Sequence, residues 1–255
     1  MFLAEAFTRP AIMRALGKVG FQQSYSYFTW RNTKEELEEF FTSISHETAD
    51  YMRPNLFVNT PDILTEYLQY GGPAAYKVRA ALAATASPLW GVYAGYELVE
   101  NVARPGAEEN IDNEKFEYKT RDWEAAAASG RSLAPYITRL NEIRKAHPAL
   151  AQRRNLQVHR SDDEAIIVYT KHLQKEFTGT GTADTLIVVV NTDPHSARET
   201  TVHLDLPALG REWGDSFQVE DLITGAVWTW SSDNYVRLDS FVEPVHILSV
   251  KADER

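Results

Sequence analysis

Beyond residue 150 the chain holds no long helical stripe. Eight short apolar runs follow one another instead, at 155–160, 164–172, 185–191, 199–206, 217–223, 226–230, 234–238 and 245–251. Ala165-Ile166-Ile167-Val168-Tyr169 and Leu186-Ile187-Val188-Val189-Val190 are the most strand-like, being rich in β-branched side chains. Gly179-Thr180-Gly181 and Thr224-Gly225 supply turn chemistry between runs. Short runs punctuated this way can bury their apolar faces only by pairing, which predicts an antiparallel β-sandwich over 151–255.

Residues 1–150 read differently. Apolar runs at Phe2 to Phe7, Phe21 to Phe28, Asn55 to Asn59 and Pro88 to Tyr96 alternate with helical periodicity. Leu37, Phe40, Phe41 and Ile44 form one helical stripe, and Thr33-Lys34-Glu35-Glu36 matches a capping box at its start. Gly71-Gly72-Pro73 opens an Ala-rich helix that runs to Ala86, with Pro at a tolerated first-turn position. Leu133, Ile137, Leu140 and Ile143 mark a last helix before Pro148. Four strands near 2–7, 21–28, 55–60 and 88–94, each followed by helix, predict a parallel α/β sheet. The chain therefore divides at about residue 150 into an α/β part and an all-β part.

Composition excludes several classes. The formal charge of −10 and pI of about 5.2 oppose general binding to a phosphate backbone, so no nucleic-acid partner is expected. There is no cysteine, hence no disulfide framework and no thiolate metal site. His46, His147, His159, His172, His195, His203 and His246 are scattered without metal-ligand spacing, so neither a metal nor another cofactor is expected. No run approaches the roughly 18 apolar residues of a membrane span. Met1-Phe2-Leu3-Ala4-Glu5 lacks the basic flank of a signal peptide, which gives the cytosol as the expected compartment.

Two carboxylates stand out. Glu5 alternates with Leu3 and Phe7 on one strand face, where burial would favour its neutral, proton-donating form. An exposed Glu at a strand end, paired with Arg9, is the commoner reading of such a position. Asp62 follows Asn59-Thr60-Pro61, where Pro ends an apolar strand. Capping of a helix over Ile63 to Tyr70 is the commoner reading there. Yet acids at the carboxyl ends of two parallel strands form a pair more informative than either alone, because that is where α/β folds gather functional groups.

The segment Phe2-Leu3-Ala4-Glu5-Ala6-Phe7-Thr8-Arg9-Pro10 resembles the surroundings of the general acid in the α-amylase superfamily. Leu56-Phe57-Val58-Asn59-Thr60-Pro61-Asp62-Ile63-Leu64, Gly71-Gly72-Pro73-Ala74, Trp90-Gly91-Val92-Tyr93-Ala94-Gly95-Tyr96-Glu97-Leu98, Asn113-Glu114-Lys115-Phe116 and Arg121-Asp122-Trp123 continue the likeness in order. Together they resemble the GlgE-type maltosyltransferases, whose donor is α-maltose 1-phosphate. Pro61 stands where ordinary amylases carry His, as it does in that subgroup.

The resemblance implies the second half of a (β/α)8 barrel, its strands five to eight, followed by a C-terminal β-sandwich. It implies Glu5 as general acid/base and Asp62 as the stabiliser of the transition state. Lys115 and Phe116 would contact the maltosyl unit, Phe116 standing where the family has Tyr. The nucleophilic Asp would lie upstream of residue 1, so the 255 residues alone are expected to be inactive. Implied partners are α-maltose 1-phosphate, an α-1,4-glucan acceptor, the upstream half of the same enzyme and a second copy in a homodimer. An α-glucan hydrolase or branching enzyme is the alternative within the superfamily; a non-catalytic glucan-binding module is the alternative outside it.

Remaining candidates are weaker. Trp213, Trp228 and Trp230 on the sandwich are expected to pack rather than stack on sugars. Glu97 reads as a structural ion pair as readily as a group at the barrel mouth, and Glu35 to Glu39 as a solvated helix face.

Overall fold

A computed structural model describes residues 1–113 and 118–251. Among the described residues, the α/β part contains four very short parallel strands. β1 (Leu3–Ala4) pairs with β2 (Gln23–Ser24), and β3 (Leu56–Phe57) with β4 (Trp90–Gly91). A parallel bridge between Ser24 and Pro54, with the Asn55 N–H donating to the Ser24 carbonyl at 2.9 Å, joins the two ladders in the order β1-β2-β3-β4.

All four predicted strands are present, each shorter than the apolar run suggested. The run to Phe28 leaves the ladder after Ser24, and Tyr27–Trp30 close into a 3-10 turn capped by Ser26. Beyond β4 the Tyr93 N–H is taken by the Asn59 side chain at 3.0 Å rather than by a strand. Phe7 and Phe28 continue past the last ladder pair into ring contacts, so an apolar run does not mark where pairing stops.

The connecting helices are α1 (Pro10–Lys18), α2 (Lys34–Thr42, prolonged by a π-turn over Ser43–Glu47), α3 (Glu66–Tyr70), α4 (Gly72–Ala86), α5 (Trp123–Ala128) and α6 (Ala134–Ala146). The capping box of α2 forms in full: the Glu36 N–H donates to Thr33 Oγ1, and the Glu36 carboxylate accepts from the Thr33 N–H at 3.2 Å. Helix α1, whose one buried side chain is Met13, was not singled out in the sequence. The Ala side chains of α4 let neighbours approach on every side, and the helix is buried almost throughout. Its last carbonyls are not orphaned, because Arg144 of α6 donates to those of Ala84, Ser87 and Pro88.

The all-β part is one antiparallel sheet of eight strands, folded over on itself. Its strands are β5 (Leu156–Ser161), β6 (Ile166–Leu173), β7 (Asp184–Asn191), β8 (Arg198–His203), β9 (Phe217–Asp221), β10 (Val227–Trp230), β11 (Asp233–Leu238) and β12 (Val245–Val250), in the order β10-β9-β12-β7-β6-β5-β8-β11. β5 makes the corner, pairing with β6 through His159 and with β8 from Arg160 onward. Alternation along β6 and β7 then divides the apolar side chains between two cores. Ile166, Val168, Ile187 and Val189 face Val202, Trp230, Val236 and Leu238 inside the sandwich. Ile167, Tyr169, Leu186, Val188 and Val190 face α4 and Phe41, so the two parts share a continuous apolar layer. Among the described residues no helix is long and apolar enough to cross a membrane.

Candidate carboxylate site

Parallel pairing decides where the first acid goes. Leu3 and Ala4 lie beside Gln23 and Ser24, and the Tyr25 N–H donates to the Ala4 carbonyl at 3.0 Å. One position further, Glu5 and Tyr25 stand level and their side chains share a face of the sheet. That face is not closed over Glu5. Glu5 is exposed, which matches the commoner reading of such a position and not the buried proton donor, and Leu3 and Phe7 beside it are 37% and 39% exposed. Period-two alternation identifies a shared face but not what covers it. The alternative pairing with Arg9 is also absent: Glu5 makes no ion pair or hydrogen bond among the described residues.

Asp62 leaves β3 in a tight turn closed by mutual hydrogen bonds between the backbones of Thr60 and Ile63. Two asparagines hold this turn from the long connection after β4. Buried Asn110 donates to the Thr60 carbonyl at 2.8 Å. Asn113 donates to the Pro61 carbonyl and to Asp62 Oδ1, both at 3.2 Å. Asp62 therefore does not cap the next helix, which starts later than expected, at Glu66, behind Thr65. Asn113 belongs to the motif Asn113-Glu114-Lys115-Phe116; Lys115 and Phe116 themselves lie outside the described residues.

Tyr25 links the two acids. Burial, followed by the negative charges of Glu5 and Asp62, pushes its phenol above the ordinary value, so both carboxylates act on this one side chain. Its ring is held between Phe7 (centroids 5.3 Å apart) and Phe57 (4.6 Å). Phe57 in turn lies on Gly91, where an added Cβ would come within 2.3 Å of the ring. Glycine is required there because another ring occupies the side-chain space. Trp30 packs edge-on against Phe7 at 5.4 Å and donates its indole N–H to Glu108 at 2.9 Å. The other oxygen of Glu108 accepts from the Glu66 N–H, tying this aromatic wall to the start of α3.

The wall is anchored from behind by Arg79 of α4. Its guanidinium is buried, lies 3.7 Å from the Phe28 ring centroid and donates to the Phe28 and Arg31 carbonyls. Burial lowers its pKa to about 10, still far above neutrality. Sequence reading missed both Tyr25 and Arg79. Tyr25 was legible only once the register placed it level with Glu5, whereas a single Arg in an Ala-rich helix does carry a signal, since an apolar helix seldom keeps an unpaired charge.

Of the other candidates, Glu97 and Trp230 serve the fold. The Glu97 carboxylate accepts from the Gly95 N–H at 3.0 Å and closes its own turn, while Arg121 pairs with Glu100 at 2.6 and 2.9 Å. Trp230 is buried in the sandwich core, as expected of a packing residue; Trp228 meets the His246 ring edge-on, and Trp213 is 62% exposed. Among the described residues no cluster of His, Asp and Glu could hold a metal ion.

Residues 158–250 match the protein-family profile described as "GLGE, C-terminal". The chain is 53% identical over 252 residues to alpha-1,4-glucan:maltose-1-phosphate maltosyltransferase 2 of Streptomyces coelicolor, covering 98% of this chain and 36% of that protein. The enzymes of the same name from Corynebacterium glutamicum (55% identity, 97% of this chain and 36% of that protein) and Mycobacterium tuberculosis (50%, 99% and 35%) are equally similar. The chain thus spans about a third of the length of the curated relatives it matches. Among solved structures, an α-amylase of Geobacillus thermoleovorans superposes with a TM-score of 0.68 at 12% identity, over 99% of this chain and 53% of that one. The gamma-CGTase of an alkalophilic Bacillus clarkii gives 0.64 at 14%, over 99% and 36%. These two likenesses establish a shared fold.

Proposed function

We propose, from homology that spans nearly the whole chain, that these residues are the C-terminal part of a retaining maltosyltransferase acting on α-maltose 1-phosphate and an α-1,4-glucan. Residues 1–150 would form the second half of a catalytic (β/α)8 barrel and residues 151–255 its β-sandwich. The geometry supports this reading in one respect above all. Glu5 and Asp62 emerge from the carboxyl ends of β1 and β3, parallel strands on either side of β2, and the negative charges of both raise the phenol of Tyr25, which leaves β2 between them. That is the end at which barrels of this kind do chemistry. Exposed apolar residues along β1 and α1, including Phe2 (70% exposed), Ile12 and Val19 (75%), fit a sheet continued by further strands.

In the complete site an Asp from the other half would attack the anomeric carbon. Glu5 would protonate the departing phosphate oxygen, leaving a maltosyl ester. Glu5, now ionised, would take the proton from the 4-hydroxyl of the glucan's non-reducing end as that oxygen attacks the ester, restoring the Asp and releasing an elongated glucan. Asp62, held by Asn113, would bind ring hydroxyls, contacts that tighten as positive charge develops on the sugar. Lys115 and Phe116 would contact the maltosyl unit. No cofactor or metal enters these steps. Homodimerisation and a cytosolic location accompany the reading.

The test joins this chain to the upstream segment of the Streptomyces coelicolor relative and supplies α-maltose 1-phosphate with maltohexaose. Release of inorganic phosphate with growth of the glucan by two glucose units, abolished by Glu5→Gln, is expected. Reducing sugar released from starch without any phosphate release would replace the transferase with a hydrolase.

A further inference from the structure

The Tyr25 side chain is fixed with unusual completeness for a residue at a loop start. Its backbone N–H is bonded to β1, its ring lies between Phe7 and Phe57, and Phe57 is pressed onto β4 at Gly91. The four strands thus converge on one phenol, yet its hydroxyl makes no hydrogen bond among the described residues. Glu5 stands level with it in the β1–β2 register, and the charges of Glu5 and Asp62 both act on it; in the proposed steps Glu5 gives its proton to the departing oxygen and Asp62 accepts from ring hydroxyls, so neither donates to one. A sugar hydroxyl seated between them can donate to either acid, but its own lone pairs need a donor. Among the described residues, the rigidly held O–H beside those acids belongs to Tyr25. It remains protonated because burial and the two negative charges oppose its ionisation.

We propose that Tyr25 is a substrate-contacting residue, its hydroxyl donating to a ring hydroxyl of the sugar held between Glu5 and Asp62. The identity of that sugar as a glucosyl unit rests on the maltosyltransferase reading; the contact itself rests on the register and the aromatic clamp. The bond holds the bound sugar in place, so its loss weakens binding and lowers kcat/KM.

The experiment compares the fused enzyme with its Tyr25→Phe and Tyr25→Ala variants. Tyr25→Phe keeps the ring clamp, so its melting temperature should match that of the parent, while kcat/KM for phosphate release falls about 10-fold, the worth of one such hydrogen bond. Tyr25→Ala should fall further, because Phe7 and Phe57 lose the ring between them. Tyr25→Phe with parental kcat and KM overturns the proposal. If the parent itself releases no phosphate, the maltosyltransferase reading fails separately. Maltotriose binding by the same proteins then decides the contact: weaker binding by Tyr25→Phe upholds it, and equal binding overturns it.

Discussion

Asn113 donates its side-chain amide to Asp62 Oδ1 at 3.2 Å, across fifty-one residues of chain. The same amide also reaches the Pro61 carbonyl, so it fixes both the carboxylate and the turn that presents it. Asp62 is exposed and would otherwise sample several rotamers. Replacing Asn113 by Ala should leave stability within about 0.5 kcal/mol, as for most surface substitutions. Activity of the fused enzyme should nevertheless fall by as much as about 100-fold, the cost of an ångström of misplacement in a catalytic group. Steady-state phosphate release beside a thermal melt checks this. Unchanged kcat in Asn113→Ala means that other groups position Asp62.

Arg79 supports the site from inside the fold. Its fork satisfies two carbonyls of the turn bearing Tyr27 and Trp30, and its plane stacks on Phe28. Arg79→Leu removes both donors and leaves those carbonyls without them, which should destabilise the protein by about 3 kcal/mol. Arg79→Lys retains the charge but not the planar fork, and should recover only part of the loss. Urea unfolding gives the stability difference. Tryptophan fluorescence should shift as Trp30 loosens from Phe7 and Glu108; an unshifted spectrum together with unchanged stability would rule out the anchoring role.

The all-β half was legible because its signals are local. Alternation and turn residues placed all eight strands to within about three residues, and the order of the strands was the part that needed the structure. The α/β half was legible in its element order and in the capping box at Thr33, but its strands were read as longer than they are. The site was legible as two acids and illegible as a geometry. The buried reading of Glu5 rested on Leu3 and Phe7 sharing its face, although nothing among the described residues covers that face. Tyr25, Phe57 and Gly91 meet only through pairing between segments more than thirty residues apart, which no sequence window contains.

Two edges of the parallel ladder lack a partner strand among the described residues, on β1 and on β4. Beside β1, Phe2 and Val19 expose most of their side chains. Open edges next to apolar surface recruit other chains. The 255-residue polypeptide should therefore scatter light as species larger than its 28.9 kDa monomer. Substituting Phe2→Glu and Val19→Lys together should shift the population toward monomer. A monodisperse parent, or association indifferent to both charges, would show that these surfaces are not adhesive.

Lys171 of β6 carries the clearest pH signature. Its ammonium is fully buried beneath the turn at Pro148–Ala151, donates to the Gln152 carbonyl, and has Arg144 and Arg153 as charged neighbours. Burial, reinforced by those two guanidinium groups, lowers its pKa from 10.5 to about 7. The unfolded chain thus binds this proton more tightly than the folded one, and stability should rise with pH across the window from 7 to 10.5. Lys171→Met removes the buried charge at the cost of one carbonyl left without its donor. It should stabilise the protein by about 1–3 kcal/mol at pH 7, within the range seen when buried charges give way to apolar groups. The advantage should shrink by pH 9, where wild-type Lys171 is neutral in the fold and the buried tyrosines have not begun to ionise. Urea midpoints for both proteins at pH 6, 7, 8 and 9 test the slope. Parallel curves would mean that Lys171 stays charged and finds solvent that its burial does not reveal, whereas converging curves identify its desolvation as the source of the pH dependence.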